Sequence, residues 1–168
     1  NIKEDQYLRV TSELYLKQFV IGGIEGVFEI GKQFRGGSRE NISSQEYTAL
    51  EFYKVYKDYF WMMDYIEDLL RRVLVKTKGE STLKWFGNEI NLMKEWERIT
   101  FYEVFLKHTG IDIYKISEKE LEKLSKKHMI EGKDRDSKIV SLFKILVVPM
   151  LIKPTFIYNY PSGISPLT

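Results

Sequence analysis

The chain has 168 residues, of which 43% are hydrophobic and 14% aromatic. This composition is sufficient for a packed core and excludes an intrinsically disordered chain. The 26 Lys and Arg residues nearly balance the 24 Asp and Glu residues, so the net charge is only +2. That balance gives no general electrostatic reason for non-specific nucleic-acid binding. The absence of cysteine excludes disulfides, thiolate metal sites and a cysteine nucleophile.

The sequence offers no membrane segment. Its most apolar run, residues 139–152, is about 14 residues long, contains Lys144 and Pro149, and is too short to span a bilayer. No secretory signal opens the sequence. We therefore expect no membrane partner.

A helix and two strands are predicted first. The helix begins after Thr11 or Ser12, either of which can serve as N-cap, and ends at Gly22–Gly23. Residues 27–35 and 46–53 then alternate between apolar and polar side chains, which is the period of a β-strand. If these strands pair as an antiparallel hairpin with their apolar faces buried together, one common face carries Arg35, Tyr47, Glu51 and Tyr53.

A long helix and a short hairpin are predicted next. The helix is expected at about residues 59–75. Its core stripe is predicted to consist of Tyr59, Met62, Met63, Ile66, Leu69, Leu70 and Val73. Residues 83–92 read as a weak hairpin around Gly87–Asn88.

The remaining elements are three helices and a strand. Thr100–Glu103 and Ser117–Glu120 have the capping-box pattern that opens a helix, and Gly110 ends the first of these helices. Asp136 is expected to cap a third helix that stops at Pro149, and residues 155–160 are expected to form a strand. The fold class is therefore α+β, a mostly antiparallel sheet flanked by helices.

The face that carries Arg35, Tyr47, Glu51 and Tyr53 is the most informative feature. A solvent-facing sheet surface usually carries Lys, Glu and Thr, whereas this one combines two tyrosines with an arginine and a glutamate. Aromatic rings can stack on a base, and an arginine can bind phosphate through two hydrogen bonds. A carboxylate facing a pocket can hold an ammonium group. The alternative is an ordinary sheet face covered by another helix.

Other candidate motifs are weaker. Residues 34–39, FRGGSR, could form a phosphate-holding turn, although paired glycines after a strand are more often a plain turn. His108 and His128 lie near predicted helix ends among lysines, without metal-ligand spacing. We therefore expect surface histidines and no metal site, and we find no nucleophile with an attendant base.

Several ordered segments resemble the catalytic core of class II lysyl-tRNA synthetases. They are LRVTSELYLK at residues 8–17, VFEIGKQFR at 27–35 and EYTALEFY at 46–53. The last two are similar to the two strands of the family's motif 2, so that hairpin is expected at about residues 27–53. PTFIYNYP at 154–161, with SPL at 165–167, is similar to a later strand of the same family.

A further stretch distinguishes subfamilies. Residues 96–112 with 134–136 look most like the short paralogues that attach lysine or β-lysine to elongation factor P. The SPL ending leans instead toward the tRNA synthetases. The resemblance implies a partial catalytic domain over residues 1–168, with a helical insertion at about 94–148 and a later strand at 154–160. Motif 1, which builds the family's homodimer interface, and motif 3 are expected outside the chain.

The resemblance implies a cytoplasmic ligase. ATP, with Mg²⁺ bound at sites not in this chain, and lysine or β-lysine would give an aminoacyl-adenylate, and the acyl group would pass to elongation factor P or to tRNA. Arg35 would be catalytic and bind the α-phosphate, and Tyr47 would stack on adenine. The positions that match those holding the substrate's amino groups are Glu13, Glu51 and Tyr53.

The sequence departs from the family at the ATP side. Gly37 stands where the family has an acidic residue, and Ile42 and Ser43 stand where it has a basic pair that reaches the γ-phosphate. Arg39 lies nearby and could substitute through a loop rearrangement. We rank the elongation factor P ligase first, a lysyl-tRNA synthetase core second, and a synthetase-derived binding module without catalysis third.

Overall fold

The computed structural model describes residues 7–36, 44–130, 132 and 134–164. The chain divides into two compact units, Asn1–Met62 and Met63–Thr168. The first unit contains a helix, two strands and the beginning of a second helix. These elements are α1 (Glu13–Ile21), β1 (Gly26–Phe34), β2 (Glu46–Lys54) and α2 (Tyr59–Lys78), of which α2 continues past Met62.

The second unit contains the rest of α2, four strands and three further α-helices among the described residues. The elements are β3 (Thr82–Trp85), β4 (Asn88–Asn91), β5 (Glu97–Thr100), α3 (Phe101–Thr109), α4 (Glu118–Lys127), α5 (Arg135–Leu146) and β6 (Thr155–Tyr158), with short 3₁₀ turns at Val148–Met150 and Ser162–Ile164. The pairs β1–β2 and β3–β4 are antiparallel, whereas β5–β6 is parallel. The expected α+β class is confirmed, although β5 has no counterpart in the sequence prediction.

In the first unit, β1 and β2 form the predicted antiparallel hairpin, but the expected burial is reversed. The apolar face is open within the described structure, with Phe28 70% and Ile30 65% exposed. The polar face is the covered one, since Ser12 and Gln33 are buried. The cause is a set of hydrogen bonds, because the hydroxyl groups just before α1 donate to Glu51 and hold the start of the helix against the polar side of the sheet.

Helix α2 begins where predicted, and its buried face follows the expected stripe only in part. Met63 of that stripe is buried, whereas Tyr59 and Val73 are 51% and 47% exposed. Glu67 and Leu74, which lie outside the stripe, are buried as well. Glu67 binds the guanidinium groups of Arg71 and Arg98, and these ion pairs fix the Glu67 side of the helix inward. Apolar spacing alone cannot reveal that preference.

The small elements of the second unit mostly follow local sequence signals. The β3–β4 hairpin turns at Phe86 and Gly87, both with positive φ, as a two-residue hairpin turn requires. Both predicted capping boxes are present, at Thr100 for α3 and Ser117 for α4. The expected cap of α5 at Asp136 is wrong.

The cap of α5 is Asp134. Its backbone is extended and its carboxylate accepts the backbone N–H of Ser137 at 2.8 Å. Asp136 is the second residue of the helix, and its carboxylate instead accepts the backbone N–H of Gly163 at 3.1 Å. Two aspartates two positions apart give the same sequence signal, and the backbone geometry decides between them.

The second unit contains two apolar clusters. The larger one joins α3, α4 and α5, and its buried members are Phe101, Val104, Phe105, Ile113, Leu121, Ile139, Leu142, Phe143 and Val147. The smaller one joins α2, the end of β4 and the start of β5, through Leu74, Leu92 and Trp96. Among the helices described, none combines the length and apolar character needed to cross a membrane.

Candidate functional site

The carboxylate of Glu51, in the middle of β2, is the centre of the candidate site. Its Oε2 atom accepts hydrogen bonds from the Thr11 hydroxyl at 2.9 Å, the Ser12 hydroxyl at 3.0 Å and the Gln33 amide at 3.3 Å. Its Oε1 atom accepts the Tyr53 hydroxyl at 2.6 Å. Four neutral donors therefore hold one carboxylate on the covered polar face of the hairpin.

The start of α1 is built around this carboxylate. Ser12 occupies the N-cap position, but its side chain makes no cap hydrogen bond to the helix. The hydroxyl of Thr11 instead accepts the backbone N–H of Glu13 at 3.1 Å while it donates to Glu51. The residues that could have capped the helix thus bind the sheet, and Glu13 enters the first turn of α1 beside the site.

The electrostatics of the site fix the protonation of both central groups. Burial raises the pKa of Glu51, but the hydrogen bonds from Tyr53, Thr11, Ser12 and Gln33 together lower it, and the net pKa is below the ordinary value. Burial and the neighbouring Glu51 carboxylate raise the pKa of Tyr53 far above its ordinary value. At neutral pH the site therefore contains an ionised Glu51 and a neutral Tyr53 that donates to it.

An alkylammonium group already lies against this cluster. The Lys17 ammonium is 2.5 Å from the Glu13 carboxylate and 5.6 Å from the centre of the Tyr53 ring. The structure therefore brings Glu13, Glu51 and Tyr53 together around one region of the hairpin. That they hold the amino groups of lysine stays a prediction.

The residues predicted to bind ATP are only partly described. The backbone N–H of Arg35 donates to the carbonyl of Gln45 at 2.9 Å, so the hairpin ladder continues one residue beyond β1. The Arg35 side chain is exposed, and Tyr47 is half-buried opposite Gln33. That Arg35 and Tyr47 bind ATP stays a prediction. Arg39 and the three departures Gly37, Ile42 and Ser43 lie outside the described residues.

No cluster of candidate ligands supports metal binding within the described ranges. They contain no group of three His, Asp or Glu side chains that could hold a metal ion.

Sequence reasoning missed four residues that shape the site. Thr11 and Ser12 read as helix caps and Gln33 as one more polar residue of the alternating strand, yet all three bind Glu51. Arg9 was also missed, and its guanidinium binds Glu29 on the same sheet face. The available signal for Gln33 was its odd-numbered position in β1, which placed it on the face with Glu51.

Two clefts lie in the second unit. One, of about 700 Å³, is lined by Trp96, Arg98 and Lys153 among others. The other, of about 480 Å³, is lined by Tyr102, Arg135 and Tyr160 among others. None of the described site residues predicted from sequence lines either cleft.

We expect Tyr53→Phe to lower the free energy of unfolding by about 1 kcal/mol at pH 7, because it removes a hydrogen bond to a carboxylate. The bond lowers the pKa of Glu51, so its contribution is present above the unfolded-state value of 4.5 and is lost as pH falls through the lower folded-state pKa. Urea unfolding at pH 7 and at pH 3 measures the change. The difference between the two proteins should be largest at pH 7 and smaller at pH 3.

The matched control for that experiment is Tyr47→Phe. Tyr47 lies on the same face of β2, but its hydroxyl is not among the described donors to Glu51. A Tyr53→Phe penalty that is as large at pH 3 as at pH 7 would show that the hydroxyl acts by packing and not through the carboxylate.

The sequence comparisons agree with the fold. Residues 1–168 match the family described as tRNA synthetases class II (D, K and N). A lysine–tRNA ligase of Porphyromonas gingivalis is 38% identical over 165 residues, which cover 96% of this chain and 28% of that protein. A lysine–tRNA ligase of Roseiflexus castenholzii is 37% identical over 172 residues, covering 99% of this chain and 35% of that protein.

The chain therefore spans about a third of the length of these curated relatives. Both relatives are named as tRNA ligases, so they support the second-ranked sequence prediction better than the first-ranked elongation factor P ligase. Because the family match covers the entire chain, the protein belongs to the class II tRNA synthetases of the D, K and N group.

Proposed function

We propose that the chain is part of the catalytic core of a ligase that activates lysine with ATP and transfers the lysyl group to tRNA. The observation that carries the proposal is the ionised Glu51 carboxylate, bonded to Tyr53 and flanked by Glu13, on the covered face of the hairpin. Such a site suits the ammonium groups of lysine. The similarity to two lysine–tRNA ligases supports this choice of amino acid and acceptor.

The proposed reaction has two group transfers. A carboxylate oxygen of lysine forms a bond to the α-phosphorus of ATP, and pyrophosphate leaves with the electrons of the broken P–O bond. The exposed guanidinium of Arg35 would stabilise charge on the α-phosphate during this step. A terminal hydroxyl of tRNA then attacks the acyl carbon, and AMP leaves.

Lysine-dependent exchange of pyrophosphate into ATP by the complete protein tests the first step. We expect exchange with lysine and little with norleucine, which has the same chain length but lacks the terminal ammonium that Glu51 would bind. Equal rates with the two amino acids, or no exchange with either, would contradict the proposal. Formation of lysyl-tRNA by the same preparation tests the second step.

A second candidate is transfer of lysine or β-lysine to elongation factor P. Residues 96–112 and 134–136 favour it, since they resemble the paralogues that modify that factor. The two candidates share adenylate formation and differ in the acceptor. Offering radiolabelled lysine and β-lysine with either tRNA or elongation factor P separates them by the product that retains the label.

A third candidate is a binding module without catalysis. Gly37, Ile42 and Ser43 favour it, because they replace family positions that contact ATP. Calorimetry of the complete protein with Mg-ATP and lysine distinguishes this case. ATP binding that tightens when lysine is present supports the ligase, and absence of ATP binding supports the module. A cytoplasmic location belongs to the proposal in either case.

A further inference from the structure

Two carboxylates face each other across the hairpin at the candidate site. Glu29 of β1 and Glu51 of β2 are direct partners in the antiparallel register, so their side chains leave the same face of the sheet. The Cβ atoms of such partners are about 4.5–5.5 Å apart, and like charges at that position repel. The two carboxylates therefore repel each other unless another group compensates one of the charges.

Among the described contacts, Arg9 compensates the charge of Glu29 only. Its Nη1 atom binds the Glu29 carboxylate, and both side chains are 35% exposed, so the ion pair is partly shielded from water. The described hydrogen bonds to Glu51 come instead from neutral groups, namely the hydroxyls of Thr11, Ser12 and Tyr53 and the amide of Gln33. Glu29 is thus paired with a cation, while the described donors to Glu51 leave its negative charge uncompensated.

The position of Arg9 is fixed by the chain around it. Its Nε atom donates to the carbonyl of Lys32 at 2.8 Å, and its own carbonyl accepts the backbone N–H of Phe34 at 2.9 Å. Gly31 pairs with Ala49 and is the next residue of β1 on the face that carries Glu29. A Cβ atom at Gly31 would be 2.2 Å from Arg9 Nη2, so the absence of a side chain there lets the guanidinium lie on the strand.

We propose that Arg9 is a positioning residue of the lysine site: by pairing with Glu29 it leaves Glu51 as the one glutamate of this cross-strand pair whose charge is available to a ligand's ammonium. This inference rests on the proposed function for the identity of the ligand. The charge arrangement itself does not depend on the ligand. Of the Glu29–Glu51 pair, an ammonium group then prefers the carboxylate of Glu51.

Removing the guanidinium should change the ionisation of Glu51. Two titratable groups are next to Glu51: Glu29 is its partner across the hairpin, and Tyr53 donates to it. Around these two, Arg9 pairs with Glu29, and Glu13 and Lys17 of α1 lie beside Tyr53. In Arg9→Met the charge of Glu29 is no longer compensated, and we expect the pKa of Glu51 to rise. Titration of selectively labelled glutamate carboxyls by NMR in the complete protein measures it, with the Glu51 signal assigned from Glu51→Gln.

Further variants separate this role from a general contribution to folding. Glu29→Gln in the Arg9→Met background should restore the wild-type titration, and Arg9→Lys should shift it less than Arg9→Met. If Arg9→Met does not fold, Glu29→Gln alone remains informative. It leaves the positive charge of Arg9 without its Glu29 partner and should lower the pKa of Glu51.

Lysine binding provides the second measurement. In wild type, the affinity measured by calorimetry should persist to lower pH than in Arg9→Met, because the carboxylate of Glu51 stays ionised to lower pH when Arg9 compensates Glu29. An unchanged Glu51 titration in Arg9→Met, or in Glu29→Gln if the first variant does not fold, would overturn the inference about Arg9. A wild-type protein that titrates as expected but does not bind lysine would instead contradict the proposed function.

Discussion

Replacing Glu51 with glutamine should raise the KM for lysine on the order of 100-fold, with little change in the KM for ATP. The amide has the shape of the carboxylate and an oxygen that can still accept from Thr11 and Ser12, so the hairpin should remain folded. It lacks the negative charge that would hold the substrate's ammonium. Loss of one partner of a shielded, hydrogen-bonded charge pair costs about 2–5 kcal/mol, which corresponds to a factor of roughly 30 or more.

The matched control is Glu46→Gln on the same strand. Glu46 lies an odd number of residues from Glu51 and therefore on the opposite face of β2, where its carboxylate is 3.0 Å from the exposed Lys32 ammonium. Its replacement should leave both KM values within about twofold, since exposed ion pairs contribute little. If Glu51→Gln and Glu46→Gln affect the KM for lysine equally, then Glu51 does not contact the substrate.

Lysine-dependent pyrophosphate exchange measures both variants, and the pH profile adds a second criterion. Because the pKa of Glu51 is lowered, the wild-type carboxylate stays ionised below the ordinary value of 4.5. The advantage of wild type over Glu51→Gln should therefore persist through mildly acidic pH. It should shrink only when the pH falls through the lowered pKa.

The face of the hairpin could be predicted because alternation is a local property. Once β1 and β2 pair in antiparallel register, the odd-numbered residues of both strands share a face. Tyr47, Glu51 and Tyr53 therefore lie on that face. The capping boxes at Thr100 and Ser117 were predictable for the same reason, since donor and acceptor lie within four residues.

The partners of Glu51 and Glu67 could not be predicted in this way. Ser12 and Glu51 are 39 residues apart in sequence, and Glu67 and Arg98 are 31 apart. No periodicity indicates that a hydroxyl at a helix start will bind a sheet carboxylate in preference to its own helix. The expectation that the apolar face of the hairpin is the covered one failed for this reason, because specific polar contacts decided which face α1 covers.

Replacing Glu67 with glutamine should lower the free energy of unfolding by about 3 kcal/mol, as expected when one member of a buried ion pair is removed. Glu67 is 5% exposed. Its carboxylate binds the guanidinium of Arg71, is 3.3 Å from that of Arg98, and accepts the backbone N–H of Trp96 at 3.3 Å. The neutral amide would remove the carboxylate that Arg71 and Arg98 share, and Arg98 would keep only its ion pair with Asp64 among those described.

Loss of the Glu67 charge should also affect the backbone segment that Arg71 binds. It donates to the carbonyls of Leu92 and Lys94 at 2.7 and 2.8 Å, and so joins α2 to the segment between β4 and β5. The indole N–H of Trp96 donates to the same Leu92 carbonyl at 3.1 Å, and Leu92 and Trp96 belong to the smaller apolar cluster. Displacing Arg71 should therefore loosen the packing of that cluster as well as the ion pairs.

The neighbouring residue Asp68 is the control that isolates burial from charge. Asp68 and Arg72 form an ion pair at 2.7 Å on the same helix, but their side chains are 56% and 78% exposed. Asp68→Asn removes the same charge and should cost at most about 0.5 kcal/mol, because water and salt screen an exposed pair. Urea unfolding of both variants at pH 7 decides the matter: equal losses would mean that the position of Glu67 between two guanidinium groups contributes nothing beyond an ordinary surface ion pair.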